Sequence, residues 1–155
     1  GKGLEIQSDD VVKVAKFASA DAAKKYDRPL IVEDTGLFIE TLGGFPGPYA
    51  SFVFRSIGLK AILRLLGEAE DRRRATFRSA VAYCEPGGEP RVFCGSIGGA
   101  IAKRAAGRGG FGFDPIFIPA GRELTLAQMG IDEKCRISHR AAAVTKFGEW
   151  YVRHS

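Results

Sequence analysis

Three short stretches of the chain carry side chains suited to phosphate and purine chemistry. They are residues 32–37 (VEDTGL), residues 111–115 (FGFDP), and Lys134 together with residues 138–140 (SHR). Carboxylates bind hard metal ions, aromatic rings beside glycine form a flat slot for a base, and Lys, His and Arg supply hydrogen-bond donors. A nucleoside triphosphate needs all three kinds of group, so the combination predicts a nucleotide-hydrolysing site.

The acidic pair Glu33 and Asp34 follows a short apolar run at residues 30–32, which predicts a buried strand. Successive strand residues point to opposite faces, but a turn at Gly36 would let both carboxylates approach one ligand. Mg²⁺ prefers such oxygen ligands, and Asp34 could also accept a proton from an attacking water. The alternative is a strand that ends in solvated acids, with Thr35 in a turn.

Residues 111–114 combine two phenylalanine rings with a glycine that lets a flat group approach the backbone. Stacking on an aromatic ring contributes about 1–3 kcal/mol per base, which is enough to favour a purine slot here. Asp114 or nearby main-chain groups would suit the edge of a base. The alternative is that Phe111 and Phe113 are core residues on either side of a turn.

Ser138 is a candidate N-cap, and the helix that it opens would begin with His139 and Arg140. The helix dipole favours anions at this end, so cations here are locally unfavourable unless they face an electron-rich partner such as a purine carbonyl or a phosphate. Lys134 could join them from the preceding turn. The alternative is a solvated helix start without a ligand.

The spacing of apolar residues predicts an α/β fold with a mixed sheet and a long central antiparallel hairpin. A helix is indicated at residues 9–26, with a buried stripe formed by Val11, Ala15, Ala18, Ala22 and Tyr26. The other predicted helices span 49–57 and 59–66 and begin at Ser138, with a short helical piece at 125–129. The predicted strands span 30–32, 75–84, 92–102 and 116–118.

Length and composition place limits on the class of protein. The 155 residues fit one domain over 1–155, and the net charge of +5 would attract polyanions or simply keep the surface solvated. Three cysteines without a C-x-x-C pair indicate reduced thiols in a cytosolic protein, and no apolar run reaches the roughly 20 residues of a membrane span. The chain contains neither a Walker phosphate loop nor a G-x-S-x-G nucleophile elbow.

Residues 32–37, 43–49 and 111–115, with the Lys134 and 138–140 group, resemble the motifs of the inosine triphosphate pyrophosphatase family in the same order. The resemblance covers nearly the whole chain, and residues 5–7 resemble the opening of archaeal-type members. It implies Mg²⁺-dependent hydrolysis of ITP, dITP and XTP to the monophosphate and pyrophosphate, which cleanses the nucleotide pool. It also implies a cytoplasmic homodimer that binds no membrane and no stable nucleic acid.

Carried over by motif, the resemblance makes Asp34 the general base and a metal ligand, Glu5 a further metal ligand and Thr35 a substrate contact. It assigns the base to Phe111, Gly112, Phe113 and Asp114, and the reading of the 6-oxo edge to Lys134, His139 and Arg140.

The family's N-terminal phosphate-binding loop, [S/T]-x-N-x-x-K, has no match before Glu5, so the domain is expected to be N-terminally incomplete. This leaves a non-catalytic or truncated purine-nucleotide-binding relative as the alternative. A basic nucleic-acid-binding module, suggested only by charge and by aromatics beside arginines, ranks third.

Overall fold

The computed structural model describes residues 10–154 of the chain. Its helices are α1 (Asp10–Tyr26), α2 (Ala50–Leu66), α3 (Ile131–Ile137) and α4 (His139–His154). Its strands are β1 (Leu30–Ile39), β2 (Pro46–Gly47), β3 (Arg74–Cys84), β4 (Arg91–Ile101) and β5 (Phe117–Pro119). Within the described residues the strands form one sheet in the order β2-β1-β3-β4-β5, and its four pairings are antiparallel. The α/β class and the long β3–β4 hairpin are thereby confirmed, whereas the sheet that was predicted to be mixed has only antiparallel pairings among the described residues.

Strand β1 is much longer than the sequence predicted. The prediction ended the strand at residue 32 and placed a turn at Gly36, whereas β1 pairs with β3 along its whole length of 10 residues. Gly36 lies within the strand opposite Arg78, and Leu37 and Ile39 beyond it are fully buried. The predicted turn is therefore wrong, because burial of the later apolar residues keeps the strand extended through the glycine.

The sheet has two faces that are covered by different helices. On one face, Val11 and Ala15 of α1 form a core cluster with Ala80 and Ala82. Asp34 is the register partner of Ala80, so Asp34 belongs to this face, which we call the α1 face. Helix α4 packs on β4 and β3 from the opposite side, which we call the α4 face.

Helix α1 forms where the spacing of apolar residues predicted it, but some residues of its predicted buried stripe are different. Helix α1 spans the predicted range, but its fully buried stripe is Val11, Ala15, Ser19 and Ala23, and Tyr26 is exposed. Ser19 occupies that stripe because its hydroxyl donates to the Lys16 carbonyl at 3.0 Å.

Helix α2 is interrupted by non-helical backbone at Gly58, as predicted from the two separate segments. Its second half buries Ile62 and Leu66 beneath the sheet.

The larger core cluster lies on the α4 face toward β5. It joins the end of β1, helix α2 and the segments after β4, and its members include Leu37, Ile39, Phe77, Ile101, Phe113, Ile116, Phe117 and Leu126. These buried residues pack beneath the segments that carry the candidate site. No helix between residues 10 and 154 is long and apolar enough to cross a bilayer.

Candidate active site

Helix α4 packs directly on the sheet because Gly95 of β4 has no side chain. A Cβ at Gly95 would collide with the backbone carbonyl of His139. Ser138 caps the helix, since its Oγ accepts a hydrogen bond from the amide of Ala141 at 3.0 Å. The predicted cap is therefore confirmed, and together with Gly95 it fixes where His139 and Arg140 begin the helix.

His139 is a buried, neutral imidazole. His139 is only 3% exposed. Its ring stacks on the ring of Phe77, with 4.6 Å between the ring centroids and 4° between the ring planes. Burial, together with the positive charges of Arg140 and Lys134, lowers the pKa of His139 to about 4. Its Nδ1 has no hydrogen-bond partner among residues 10–154. At neutral pH the ring therefore offers one donor and one acceptor, and one of its buried nitrogens is unpaired.

Phe111 is displayed by a loop that depends on glycine. Gly110 and Gly112 on either side of it have φ of 69° and 62°, a left-handed conformation that glycine adopts readily. A Cβ at Gly110 would also collide with the carboxylate of Asp114. The loop leaves Phe111 60% exposed, so its ring is available for stacking.

Asp114 holds the Phe111 loop and Lys134 together. It is 4% exposed, and its Oδ2 accepts hydrogen bonds from the Phe111 amide at 3.1 Å and from Lys134 Nζ at 2.6 Å. Lys134 lies on helix α3, not in a turn as predicted, and its Nζ is 5.1 Å from the centroid of the Phe111 ring. A buried carboxylate with two donors is satisfied, so this pair fixes the ammonium group beside the exposed ring.

Arg140 lies against the same ring. Its Cζ is 4.6 Å from the Phe111 centroid, within the range of a cation–π interaction. Its Nε is 2.7 Å from Glu33 Oε1, although the N–H does not point at that oxygen, so the contact is an ion pair rather than a hydrogen bond. Phe111 is thus flanked by the cationic groups of Lys134 and Arg140.

The second ring of the FGFDP motif has a different position. Phe113 is 3% exposed and packs edge-on against Phe54, with 5.5 Å between centroids. It supports the loop from inside the core, so the structure separates two rings that were predicted to form the base slot together. Direct contact of Phe113 with a substrate stays a prediction.

Thr35 is anchored in the sheet on the α4 face. Its Oγ1 lies 2.8 Å from Oγ of Ser79, its register partner on β3, and either hydroxyl can be the donor. Ser79 is fully buried, and Gly95 is its own partner on β4. A line of small or hydroxyl residues therefore crosses the sheet beneath the start of α4.

Asp34 stands apart from these groups, on the α1 face. Its pKa is raised to about 6, mainly by burial; the hydrogen bond from the Thr35 amide opposes this shift, and the charge of Glu33 adds to it. Its Oδ2 is buried without a hydrogen-bond partner among residues 10–154. A buried carboxylate oxygen without a partner is costly, which is the usual sign of a group that meets a ligand.

The described residues contribute one oxygen ligand suited to a divalent cation. Residues 10–154 contain no group of three or more His, Cys, Asp and Glu side chains that could hold a metal ion. The unpaired oxygen of Asp34 nevertheless fits Mg²⁺, which commonly takes one or two carboxylates and completes its shell with waters and substrate phosphates. Glu5, the second predicted ligand, lies outside the described residues.

Sequence reasoning missed the supporting residues of the site. Gly95 is one of three glycines in β4, and a glycine inside a strand can signal close approach of another backbone. Ser79 is a polar residue inside an apolar strand, which is a weaker signal that this position supports a site. The pairing of Glu33 with Arg140 left no local signal, because it depends on how α4 crosses the sheet.

Comparisons with known proteins agree with the motifs. Residues 2–150 match the model of the Ham1 family. A dITP/XTP pyrophosphatase of Methanopyrus kandleri is 52% identical over 147 residues, which are 95% of this chain and 78% of the relative. A dITP/XTP pyrophosphatase of Pyrobaculum aerophilum is 53% identical over 152 residues, which are 98% of this chain and 80% of the relative.

Solved structures give the same result. The Ham1 protein of Staphylococcus aureus matches with a TM-score of 0.82 and 32% identity, covering 91% of this chain and 76% of that one. A HAM1 protein of Coxiella burnetii matches with a TM-score of 0.82 and 30% identity, covering 90% and 75%.

Proposed function

The chain belongs to the Ham1 family, and we propose that it hydrolyses the non-canonical purine nucleoside triphosphates ITP, dITP and XTP to the monophosphate and pyrophosphate. It is then a hydrolase of triphosphate anhydride bonds that cleanses the nucleotide pool. The observation that carries the proposal is the exposed Phe111 ring with two fixed cationic groups against it. The non-catalytic alternative receives no support from the relatives, which are named as pyrophosphatases.

Recognition of the base follows from the chemistry around Phe111. A purine stacks on the exposed ring, and Lys134, Arg140 and His139 offer donors to its edge. Donors suit the 6-carbonyl of hypoxanthine or xanthine, whereas the 6-amino group of adenine would leave them unpaired. Unpaired buried donors are costly, so the slot discriminates against adenine. Asp114 acts in this scheme by holding Phe111 and Lys134 in place.

Hydrolysis is assigned to Asp34. With a pKa of about 6, its carboxylate is mostly ionised at neutral pH and still basic enough to accept a proton from water. The activated water adds to a phosphorus of the α–β anhydride, the bridging P–O bond breaks, and pyrophosphate leaves. Asp34, together with Glu5, would hold a divalent metal, which we propose to be Mg²⁺; when bound, it would neutralise charge on the phosphates.

The finer features implied by the family resemblance are part of the same proposal. We infer that Thr35 contacts the substrate, with its hydroxyl oriented by Ser79. The protein is proposed to be a one-domain homodimer of the cytoplasm, with no stable nucleic-acid or membrane partner. The three cysteines, which are free of disulfide bonds, are compatible with a reducing compartment.

The test is release of pyrophosphate, as distinct from orthophosphate, from ITP, XTP, ATP and GTP with and without Mg²⁺. Selective pyrophosphate release from ITP or XTP that depends on the metal would support the proposal. Binding of ITP and IMP without any turnover would instead select the non-catalytic alternative. Release of orthophosphate would contradict the assigned bond cleavage.

A further inference from the structure

Glu33 and Asp34 are neighbours in the sequence, but their side chains lie on opposite faces of the sheet. Because β1 is extended through both residues, Asp34 points to the α1 face and Glu33 to the α4 face. The backbone pairing of Glu33 with Val81 on β3 fixes the position of Glu33 along the sheet. Its carboxylate therefore cannot join Asp34 at one metal ion, and it lies instead beside Arg140 at the start of α4.

Arg140 is fixed by two partners of different kinds. Its Nε lies 2.7 Å from Glu33 Oε1, and its guanidinium carbon lies 4.6 Å from the centroid of the Phe111 ring. A free arginine side chain samples many rotamers, and binding a ligand through it costs the entropy of ordering them. A carboxylate that holds the guanidinium in advance reduces this cost.

The terminal nitrogens of Arg140 remain available for a ligand. Within the described residues, neither Nη1 nor Nη2 makes a hydrogen bond or an ion pair with the protein, whereas Nε lies 2.7 Å from Glu33 Oε1 without its N–H pointing at that oxygen. The guanidinium is planar, so fixing Nε also fixes the direction of the other N–H groups. Glu33 thus orients the donors of a guanidinium that lies over the Phe111 ring.

We propose that Glu33 is a positioning residue that holds the Arg140 guanidinium against Phe111 so that its terminal N–H groups meet the 6-oxo edge of the purine. This inference rests on the proposed function, because it assigns the carboxylate a part in base selection. Glu33 and Asp34 then serve different steps of one reaction from adjacent positions of one strand.

A purely structural ion pair would behave differently. The side chains of Arg140 and Glu33 are 39% and 29% exposed, and ion pairs at such exposure contribute little to the stability of the fold. Removing the Glu33 charge should therefore leave the thermal midpoint nearly unchanged. Its effect should appear in nucleotide affinity and in the preference for the 6-oxo group.

The experiment is a double-mutant cycle with IMP and AMP as probes, measured by titration calorimetry on the protein. The variants are Glu33→Gln, Arg140→Met and both together. Glu149→Gln, an exposed glutamate of the same helix α4, is the matched control. We expect Glu33→Gln to weaken IMP binding by about three- to tenfold and AMP binding by less, within the range of coupled contacting pairs. In turnover of ITP, KM should rise by a similar factor while kcat changes little.

Comparing the effect of Glu33→Gln on IMP affinity with and without Arg140→Met shows whether Glu33 acts through Arg140. We expect Glu33→Gln to have no further effect on IMP affinity once the guanidinium is absent. An unchanged IMP affinity in Glu33→Gln, or an equal loss in both backgrounds, would overturn the inference. Should Glu33→Gln fold poorly, Glu33→Asp shortens the reach to Arg140 with the charge kept, and its unchanged IMP preference would also overturn it.

Failure of the proposed function would look different from failure of this inference. It would appear in the unaltered protein, as equal binding of IMP and AMP or as absence of pyrophosphate release from ITP. A protein that prefers IMP and releases pyrophosphate, but in which Glu33→Gln has no effect, would retain the function and refute the role of Glu33.

Discussion

The two faces of the sheet differ in how completely their polar groups are paired. On the α4 face, Glu33 contacts Arg140, Thr35 contacts Ser79, and the Asp114–Lys134 pair holds the Phe111 loop, while Nδ1 of His139 has no partner among the described residues. On the α1 face, the buried Oδ2 of Asp34 has no partner among them either, and the pKa of this carboxyl is raised. The proposed base slot is therefore largely preassembled, whereas the carboxylate proposed to be catalytic still needs a ligand.

This difference suggests that the α4 face selects the base and the α1 face carries out hydrolysis, which substitutions can test. A preassembled slot selects its ligand by the fixed positions of its donors, so changes on the α4 face should alter affinity and selectivity. A carboxylate that acts on water or metal should alter turnover with little change in base affinity. Each variant below is chosen to affect one face while leaving the other as it is.

The largest effect is expected for Asp34→Asn. The amide cannot accept the proton of the attacking water and is a poorer metal ligand, so kcat for ITP should fall by about a thousandfold, within the range of general-base catalysis. The affinity for IMP should stay within about twofold of the unaltered protein, because the Asp34 side chain lies on the face of the sheet opposite to Glu33 and Arg140. Pyrophosphate release and IMP titration measure the two quantities.

Substitution of Glu40, an exposed acid just beyond the end of β1, by glutamine is the control for the removal of one negative charge. It should leave both kcat and IMP affinity unchanged. A substantial residual kcat in Asp34→Asn, or a parallel loss of IMP affinity, would break the proposed separation of the two faces.

The second prediction concerns the packing of α4. Gly95→Ala places a methyl group against the backbone carbonyl of His139, and relief of this collision requires the helix to shift. We expect a loss of about 3 kcal/mol in the free energy of unfolding, typical of overpacking against backbone, and weaker binding of IMP. Denaturant unfolding and IMP titration measure the effect.

Gly98→Ala is the matched control on the same strand, because a Cβ there meets open space. It should leave stability and IMP affinity close to their original values. If Gly95→Ala were equally silent, the close packing of α4 on β4 would not be what positions the base slot.

The sequence predicted well those features that depend on local chemistry. The helical period of α1, the interruption at Gly58, the Ser138 cap and the central hairpin were all visible in residue type and spacing. These features are set by neighbours along the chain, which is why a single sequence reveals them.

The features that were missed depend on pairing between distant segments. Residues 30–36 end in two acids and a glycine, which locally favour a turn, but β3 pairs along the whole strand and overrides that preference. For the same reason, the sequence could not show that Glu33 faces Arg140 while Asp34 faces α1. The different burial of Phe111 and Phe113 likewise depends on the conformation of the loop around Gly110 and Gly112.

The third prediction concerns His139 and the pH dependence of stability. Its pKa is about 4 in the folded protein, against an ordinary value of 6.5, so between these values the unfolded chain binds more protons. The stability linked to this group is present above pH 6.5 and is lost as the pH falls toward 4, with a total on the order of 3 kcal/mol. Asp34, whose pKa is raised to about 6, contributes with the opposite sign over the same window, so the His139 part is measured as the difference in denaturant midpoints between the unaltered protein and His139→Gln.

His139→Gln should remove this part of the pH dependence, whatever its effect on stability at neutral pH. The matched control is His154→Gln, which replaces the other histidine of the chain at an exposed position. The His154 variant should keep the full slope. An unchanged slope in the His139 variant would mean that the ring is not neutral and buried as the structure places it.

The smallest effect is expected for Phe111→Ala. Its exposed ring contributes stacking and little core packing, so IMP affinity should fall by about tenfold, the lower part of the range for base–aromatic stacking, with almost no change in the free energy of unfolding. Phe52→Ala removes a ring of similar exposure, 62% against 60%, from helix α2, and should leave IMP affinity unchanged. Phe113→Ala should do the reverse of Phe111→Ala and mainly destabilise the fold, by about 3 kcal/mol or more, since its ring is in the core. If Phe111→Ala bound IMP normally, the base would have to stack elsewhere, and the preassembled slot on the α4 face would lose its central element.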